Sequence, residues 1–335
     1  MYKILVIGPS WVGDTVLAQP LFQRLRERHP GLQLDVLSPA WTLSLLRRMP
    51  QVNETLASPF AHGELALAKR WRLAREIRAR GYDQAIVLPN SFKSALIPWL
   101  AGIPKRTGFV GELRQPLLND ARRLDARALP LMAERFAHLA DSPEAPLRRP
   151  LPALQLQVSE ATRAAVLSTL GLSLDAPVAC LCPGAEYGPA KRWPAEHFGE
   201  LARLARAAGY QVWLVGSPKD RLIGEDIEHA SHGAVRNLCG STSLEQAVDL
   251  LSLAQVVVAN DSGLMHIAAA LGRPLLALYG SSSPGFTPPL SAHAHVLKLE
   301  LPCSPCFKRE CPLGHFDCMR KLLPRQVFAA FPAPA

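Results

Sequence analysis

The apolar run Val256-Val257-Val258 ends in Asn260-Asp261-Ser262-Gly263, and the run Leu275–Tyr279 ends in Gly280-Ser281-Ser282-Ser283. Helix-capping residues and a glycine at the end of a strand mark a helix start. Gly272 followed by Pro274 marks its stop. The order strand, loop, helix, strand, loop restricts the chain to the parallel-sheet α/β class. Each strand's carboxyl end then meets unpaired N–H groups and the positive end of a helix dipole, which favour a phosphate. Ser262 and His266, four residues apart, share a face of that helix. For one such turn it would suffice that Asp261 and Ser262 are caps and His266 an ordinary, partly buried histidine. Two polar loops on neighbouring strand ends suggest a ligand as well.

The same alternation runs through the chain. Residues 3–8 read as a strand and 15–28 as a helix, with Leu17, Leu21 and Leu25 at four-residue spacing. Gly8 and Gly13 are spaced as in a P-loop, but Asp14 stands where that motif needs lysine, which excludes a Walker-type site. Asp14 is left at the first turn of a helix, where it suits an N-cap or a general base equally. Residues 32–37, 84–88 and 106–110 predict strands, and residues 41–49, 65–80 and 131–140 predict helices. The strand over 84–88 leads into Pro89-Asn90-Ser91-Phe92-Lys93-Ser94 ahead of a helix. Pro143, Pro146, Pro150 and Pro152 make an extended connector, so that residues 1–150 and 151–335 form two domains. The second restarts with strand Val178–Cys182, the loop 183–194 and a helix opening on Pro194. Strands over 211–215 and 235–238 and a helix over 244–254 follow.

A chain of 335 residues suits two domains of about 150 each. No stretch approaches the roughly 18 uninterrupted apolar residues of a membrane span, and the start turns polar too soon for a signal peptide, so a cytoplasmic protein is expected. Seven cysteines, an odd number with Cys180 and Cys182 in an apolar strand, fit reduced thiols better than a secreted disulfide framework. The net charge of +9 is uneven: residues 1–150 hold 22 Lys+Arg against 13 Asp+Glu, and the remainder 15 against 15. The first half is therefore suited to something large and acidic, or is simply an Arg-rich solvated surface. No helix-turn-helix, RRM or zinc-finger pattern supports nucleic acid as the partner.

Gly8-Pro9-Ser10-Trp11-Val12-Gly13-Asp14, Pro89-Asn90-Ser91-Phe92-Lys93-Ser94-Ala95, the loop from Pro183 through Lys191-Arg192-Trp193-Pro194, and Asn260-Asp261-Ser262-Gly263-Leu264-Met265-His266 together resemble the ADP-heptose:lipopolysaccharide heptosyltransferases. The likeness spans residues 1 to about 300. It implies a GT-B fold, in which two Rossmann-like doubly wound parallel-sheet domains face a central cleft, the first binding acceptor and the second ADP-heptose. It also implies transfer of L-glycero-D-manno-heptose to the lipopolysaccharide inner core with inversion, and no metal or other cofactor in catalysis. The Trp-containing first loop and the Lys-Arg-Trp-Pro loop favour the branch that adds the second heptose, whose acceptor is heptosyl-Kdo2-lipid A; another heptosyltransferase of the pathway, such as the one adding the first heptose, is the alternative. Under this resemblance Asp14 matches the catalytic base, and Lys191 the lysine that stabilises departing ADP. Asp261, Ser262, Gly263 and His266 match the donor-binding helix start, and Arg192 can share the work of Lys191. Lys93, Arg106 and the arginines of residues 65–80 are candidate acceptor contacts, and with the basic first half the resemblance leads one to expect peripheral association with the cytoplasmic surface of the inner membrane.

A sugar-nucleotide epimerase would use a similar second domain, and a two-lobed binding protein a similar pair of domains. Neither is required by these motifs. Cys303, Cys306, Cys311 and Cys318, with His315 among them, fall outside the family's chemistry. The first CxxC suits structural zinc, but a matching second CxxC is missing, and a reduced, proline-punctuated surface loop is the competing reading.

Overall fold

The fold comes from a computed structural model that describes residues 1–60 and 64–333. The chain divides into two compact units, Met1–Ala153 and Leu154–Ala335. Unit 1 carries strands β1 (Lys3–Ile7), β2 (Gln33–Pro39), β3 (Glu54–Ser58), β4 (Gln84–Val87), β5 (Lys105–Phe109) and β6 (Asp120–Arg122). Between and after them lie α1 (Val12–Leu17), α2 (Gln19–Arg28), α3 (Leu43–Leu46), α4 (Leu67–Ala79), α5 (Phe92–Leu100) and α6 (Met132–His138). Unit 2 carries β7 (Val178–Cys182), β8 (Gln211–Leu214), β9 (Arg236–Asn237), β10 (Val256–Asn260), β11 (Leu275–Tyr279) and β12 (Ala294–Lys298). Its helices are α7 (Glu160–Leu170), α8 (Ala195–Ala207), α9 (Arg221–Ala230), α10 (Leu244–Leu253), α11 (Gly263–Ala270), α12 (Asp317–Arg320) and α13 (Pro324–Phe328). No helix among the described residues is long and apolar enough to cross a membrane.

Each sheet has six strands, in the orders β3-β2-β1-β4-β5-β6 and β12-β11-β10-β7-β8-β9. Every pairing is parallel. Renumbered from its own first strand, each is the Rossmann order 3-2-1-4-5-6. Strands covered by helices on both faces read as unbroken apolar runs. Accordingly, β7, β10 and β11 are buried along their whole length. In such sheets ligands sit beyond the carboxyl ends of the strands where the winding reverses. Here those places are the β1/β4 and β7/β10 boundaries.

Several element limits differ from the sequence reading. The helix expected over 15–28 starts earlier and divides at Ala18, because Pro20 can occupy only a first turn. Residues 41–49 form one turn of 3-10 helix and the four-residue α3. Pro194 is the residue before α8, not its first. Strands β3, β6 and β12 and helices α7, α9, α12 and α13 lie outside the elements predicted.

Under unit 1's sheet, the phenol of Tyr82 donates to Asp35 Oδ2 at 2.6 Å, with the Asp35 side chain fully buried. Burial, then this bond to Asp35, pushes the Tyr82 hydroxyl well above its ordinary range. Tyr82→Phe removes a donor from a buried carboxylate and is expected to cost about 1–3 kcal/mol of unfolding free energy. Denaturant melts that coincide with wild type would mean that the phenol contributes nothing there.

Candidate active site

In unit 1, Gly8 is fixed by a close approach, since a Cβ there would stand 2.9 Å from Ser38 Oγ. The chain leaves β1, and α1 opens after Trp11, whose carbonyl accepts from Thr15 N–H and Thr15 Oγ1, both at 2.9 Å. Asp14 therefore sits in the first turn of α1, and the N-cap position belongs to Trp11. Lys93 lies in the first turn of α5, beyond β4, so both residues follow the two strands that flank unit 1's reversal point. The start of α5 is already served by a carboxylate, because Phe92 N–H donates to Glu112 Oε2 at 3.0 Å. Arg114, not singled out in the sequence, is fully buried and donates to the carbonyls of Pro89 and Phe109 and to Asn90 Oδ1. Burial lowers its guanidinium to about 10. It shapes the Pro89-Asn90 turn ahead of Lys93.

Two of the acceptor candidates are engaged within unit 1. Arg106 is engaged with its own unit, donating to the carbonyls of Leu117 at 2.8 Å and Ile103 at 2.6 Å. Arg70 is buried, stacks over Phe60 at 4.0 Å and donates to the carbonyls of Lys93, Leu65 and Glu64. Arg70, with all three of its nitrogens on carbonyls, is an internal brace.

In unit 2 the two loops flanking the β7/β10 boundary come together. Asn260, fully buried at the end of β10, accepts from Trp193 N–H at 3.1 Å and donates to the Pro183 carbonyl at 2.8 Å. Both ends of the 183–193 loop are thereby tied to β10. Gly184 is pressed against Asp220, whose Oδ2 would stand 2.5 Å from an added Cβ. Within the loop, Lys191 Nζ meets Asp261 Oδ2 at 2.6 Å and lies 5.1 Å from the centre of the Tyr187 ring. The Lys191 side chain is 18% exposed and that of Asp261 5%. An ammonium has three protons, and Asp261 takes one, so donors remain for a further anion. Arg192 stands beside it with only a long 3.5 Å bond to the Ala185 carbonyl and a buried Nε lacking a partner.

Asp261 thus pairs with Lys191. Ser262 is the N-cap of α11 but makes no side-chain capping bond, and Gly263 is the first helical residue. Ser262 Oγ, Ser281 Oγ, Ser282 Oγ and His266 Nδ1 are buried atoms without a hydrogen-bond partner. Native interiors leave few such groups; Ser262 and His266 belong to the start of α11 and Ser281 and Ser282 to the loop after the neighbouring β11, so these two strand ends carry polar atoms that a polar ligand can satisfy. His266 is lowered to about 4, chiefly by burial and also by Lys191, with Asp261 acting the other way. The ring is therefore neutral near pH 7, and the cationic groups of this loop pair are Lys191 and Arg192.

Two units of Rossmann order, the second with a lysine–carboxylate pair and unsatisfied polar groups at a helix N-terminus on a winding reversal, suit a ligand that carries phosphate. Residues 70–317 match the family model described as Glycosyltransferase family 9 (heptosyltransferase). The chain belongs to that family, as its motifs led one to expect. Lipopolysaccharide heptosyltransferase 2 of Salmonella typhimurium is 49% identical over 334 residues, covering 97% of this chain and 96% of that protein. A solved structure of E. coli ADP-heptose LPS heptosyltransferase II matches with a TM-score of 0.89 at 46% identity, covering 98% of this chain and 97% of that one. Lipopolysaccharide heptosyltransferase 1 of Pseudomonas aeruginosa is 27% identical, with 96% of this chain and 90% of that protein covered.

The buried His266 predicts an acid dependence. Its folded value lies below the unfolded 6.5, so between pH 6.5 and 4 the unfolded chain binds a proton that the folded chain does not, and stability falls as pH falls. Between pH 7 and 4, wild type should lose about 3 kcal/mol more unfolding free energy than His266→Gln. Parallel pH–stability curves would show that the ring keeps its ordinary affinity for a proton.

Proposed function

We propose that this chain transfers L-glycero-D-manno-heptose from ADP-heptose to the first heptose of heptosyl-Kdo2-lipid A, with inversion and without a catalytic metal. The observation that carries this reading is the Lys191–Asp261 pair at the start of α11, beside the unsatisfied Ser262, Ser281, Ser282 and His266. These residues suit a pyrophosphate: backbone N–H groups and hydroxyls bind its oxygens, and one fixed ammonium stabilises the charge that grows as ADP departs. Asp14 in unit 1 takes the proton of the acceptor hydroxyl. The freed oxygen attacks the anomeric carbon opposite the leaving group, the bond from that carbon to the pyrophosphate oxygen breaks, and the configuration inverts. Arg192 assists Lys191, and Lys93 is assigned to the acceptor.

The second heptose is favoured over the first because likeness to the heptosyltransferase 2 proteins far exceeds that to heptosyltransferase 1. In the proposed setting the enzyme works in the cytoplasm against the inner membrane. The excess of positive charge lies in unit 1, and α4 exposes Trp71 and Leu67 beside Arg72 and Arg75. Cosedimentation with anionic vesicles that weakens as salt rises is expected, and indifference to lipid charge would count against this setting.

The direct test offers ADP-heptose, with EDTA present, to Kdo2-lipid A and to heptosyl-Kdo2-lipid A. Product is expected only with the second; product only with the first would move the enzyme one step earlier, and no product with either would remove the assignment. Asp14→Asn should keep donor binding and lose at least about 100-fold in turnover. Lys191→Met should weaken both ADP affinity and turnover, by about 10-fold or more. Near wild-type kinetics in either variant would sink the role given to that residue.

A further inference from the structure

The segment from Leu299 to Phe316 runs between β12 and α12 without a helix or strand. Loops of that length without secondary structure are uncommon in compact domains. This one packs closely against the site. The Arg309 carbonyl accepts from Ala190 N–H at 3.0 Å and would lie 2.5 Å from a Cβ added at Gly188. Phe307 N–H donates to the Ser281 carbonyl at 2.7 Å, Ser304 Oγ to the Gly280 carbonyl at 2.6 Å, and Tyr187 Oη to the Phe307 carbonyl at 2.9 Å. The backbones of the Lys191 loop and of the Ser281 loop thus both lean on a stretch with little regular structure of its own.

The stretch also folds back on itself. Phe307, Gly314 and Phe316 adopt positive φ of 55°, 71° and 54°, a conformation unfavourable for phenylalanine, and so reverse the chain after Cys306 and again before Cys318. These reversals bring Cys303, Cys306, Cys311 and Cys318 to the wall of one small cavity of about 20 Å³, with His315 and Phe316 also lining it. All four are free thiols. Phe316 N–H already donates to Cys311 Sγ at 3.4 Å, the kind of backbone bond that steadies a metal-bound thiolate. His315 is less suited as a ligand, because its Nδ1 accepts from Asp317 N–H at 2.9 Å.

We propose that Cys303, Cys306, Cys311 and Cys318 hold one divalent transition-metal ion, zinc or iron, as a tetrahedral thiolate site that staples residues 299–316 against the donor loops. Four soft ligands select such ions over magnesium or calcium. No three His, Cys, Asp or Glu side chains among the described residues already stand at metal-bonding spacing, so binding draws the thiols inward by side-chain rotation and releases their protons. The ion takes no part in the sugar transfer.

The test measures metal on the full-length protein, purified without chelator, by inductively coupled plasma mass spectrometry. One zinc or one iron per chain is expected, and the same measurement tells which. Reconstitution with Co(II) should give thiolate charge-transfer and tetrahedral ligand-field absorption. Cys306→Ser and Cys318→Ser should lose the ion and melt several degrees lower, while His315→Ala keeps it. Trace metal in the wild-type protein, as isolated and after anaerobic reduction with Zn(II) or Co(II), overturns the proposal, whatever the variants do. Loss of the ion from His315→Ala, or its retention in both serine variants, overturns the four-thiolate assignment.

Discussion

The side-chain amide of Asn260 holds the candidate donor site together. It sits at the end of β10 with no exposed surface, where it must both accept and donate, and it does so with the Trp193 N–H and the Pro183 carbonyl. One planar group therefore fastens both ends of a loop that leaves β7, the neighbouring strand across the winding reversal. With the loop held there, Lys191 has one place to reach, the carboxylate of Asp261 on the residue after Asn260. Backbone bonds supply the sheet, but this side chain turns a sheet boundary into a site of fixed width.

The electrostatic division within that site follows from burial. His266 is too deep to charge near pH 7. Lys191 keeps a carboxylate at 2.6 Å and an aromatic face at 5.1 Å, which hold its ammonium in one position without exhausting its donors. A pair with one partner nearly buried loses more when broken than it gains when formed, because the remaining charge is stranded. Removing Lys191 thus disturbs Asp261 as well as any ligand. The cores beneath are ordinary by comparison, with Trp193 and Phe198 packed edge to face against the apolar strands of unit 2.

What could be read from the sequence was what local chemistry writes down. Gly263 after Asn260-Asp261-Ser262 announced a helix start, and Gly272 with Pro274 its end. The apolar stretches that became β1, β4, β7, β10 and β11 were plain because helices bury both their faces. Two edge strands were not: Glu54–Ser58 and Ala294–Lys298 hold only partly exposed and exposed residues and carry no buried apolar run. Among site residues, types were legible and partners were not. Lys191 and Asp261 are 70 positions apart, and no local pattern joins them. Arg106 and Arg70 look available in a list of cations, yet each closes on carbonyls of its own unit. Asp14 shows the reverse case, since spacing left cap and base even, and the structure gives the N-cap position to Trp11. The cysteines could be counted, but only three left-handed residues bring them to one cavity.

The strand order also governs how the chain is made. β1 is the hub of the first sheet, yet it gains its second neighbour only when β4 has been synthesised, and β6 closes the edge later still. β7 is likewise half-paired until β10 arrives. On the ribosome each hub strand waits with one apolar flank open while a long crossover is completed, the situation in which nascent chains are most prone to wrong pairing. Asn260, emerging at the tip of β10, then comes late enough to fasten a loop that has been free since β7.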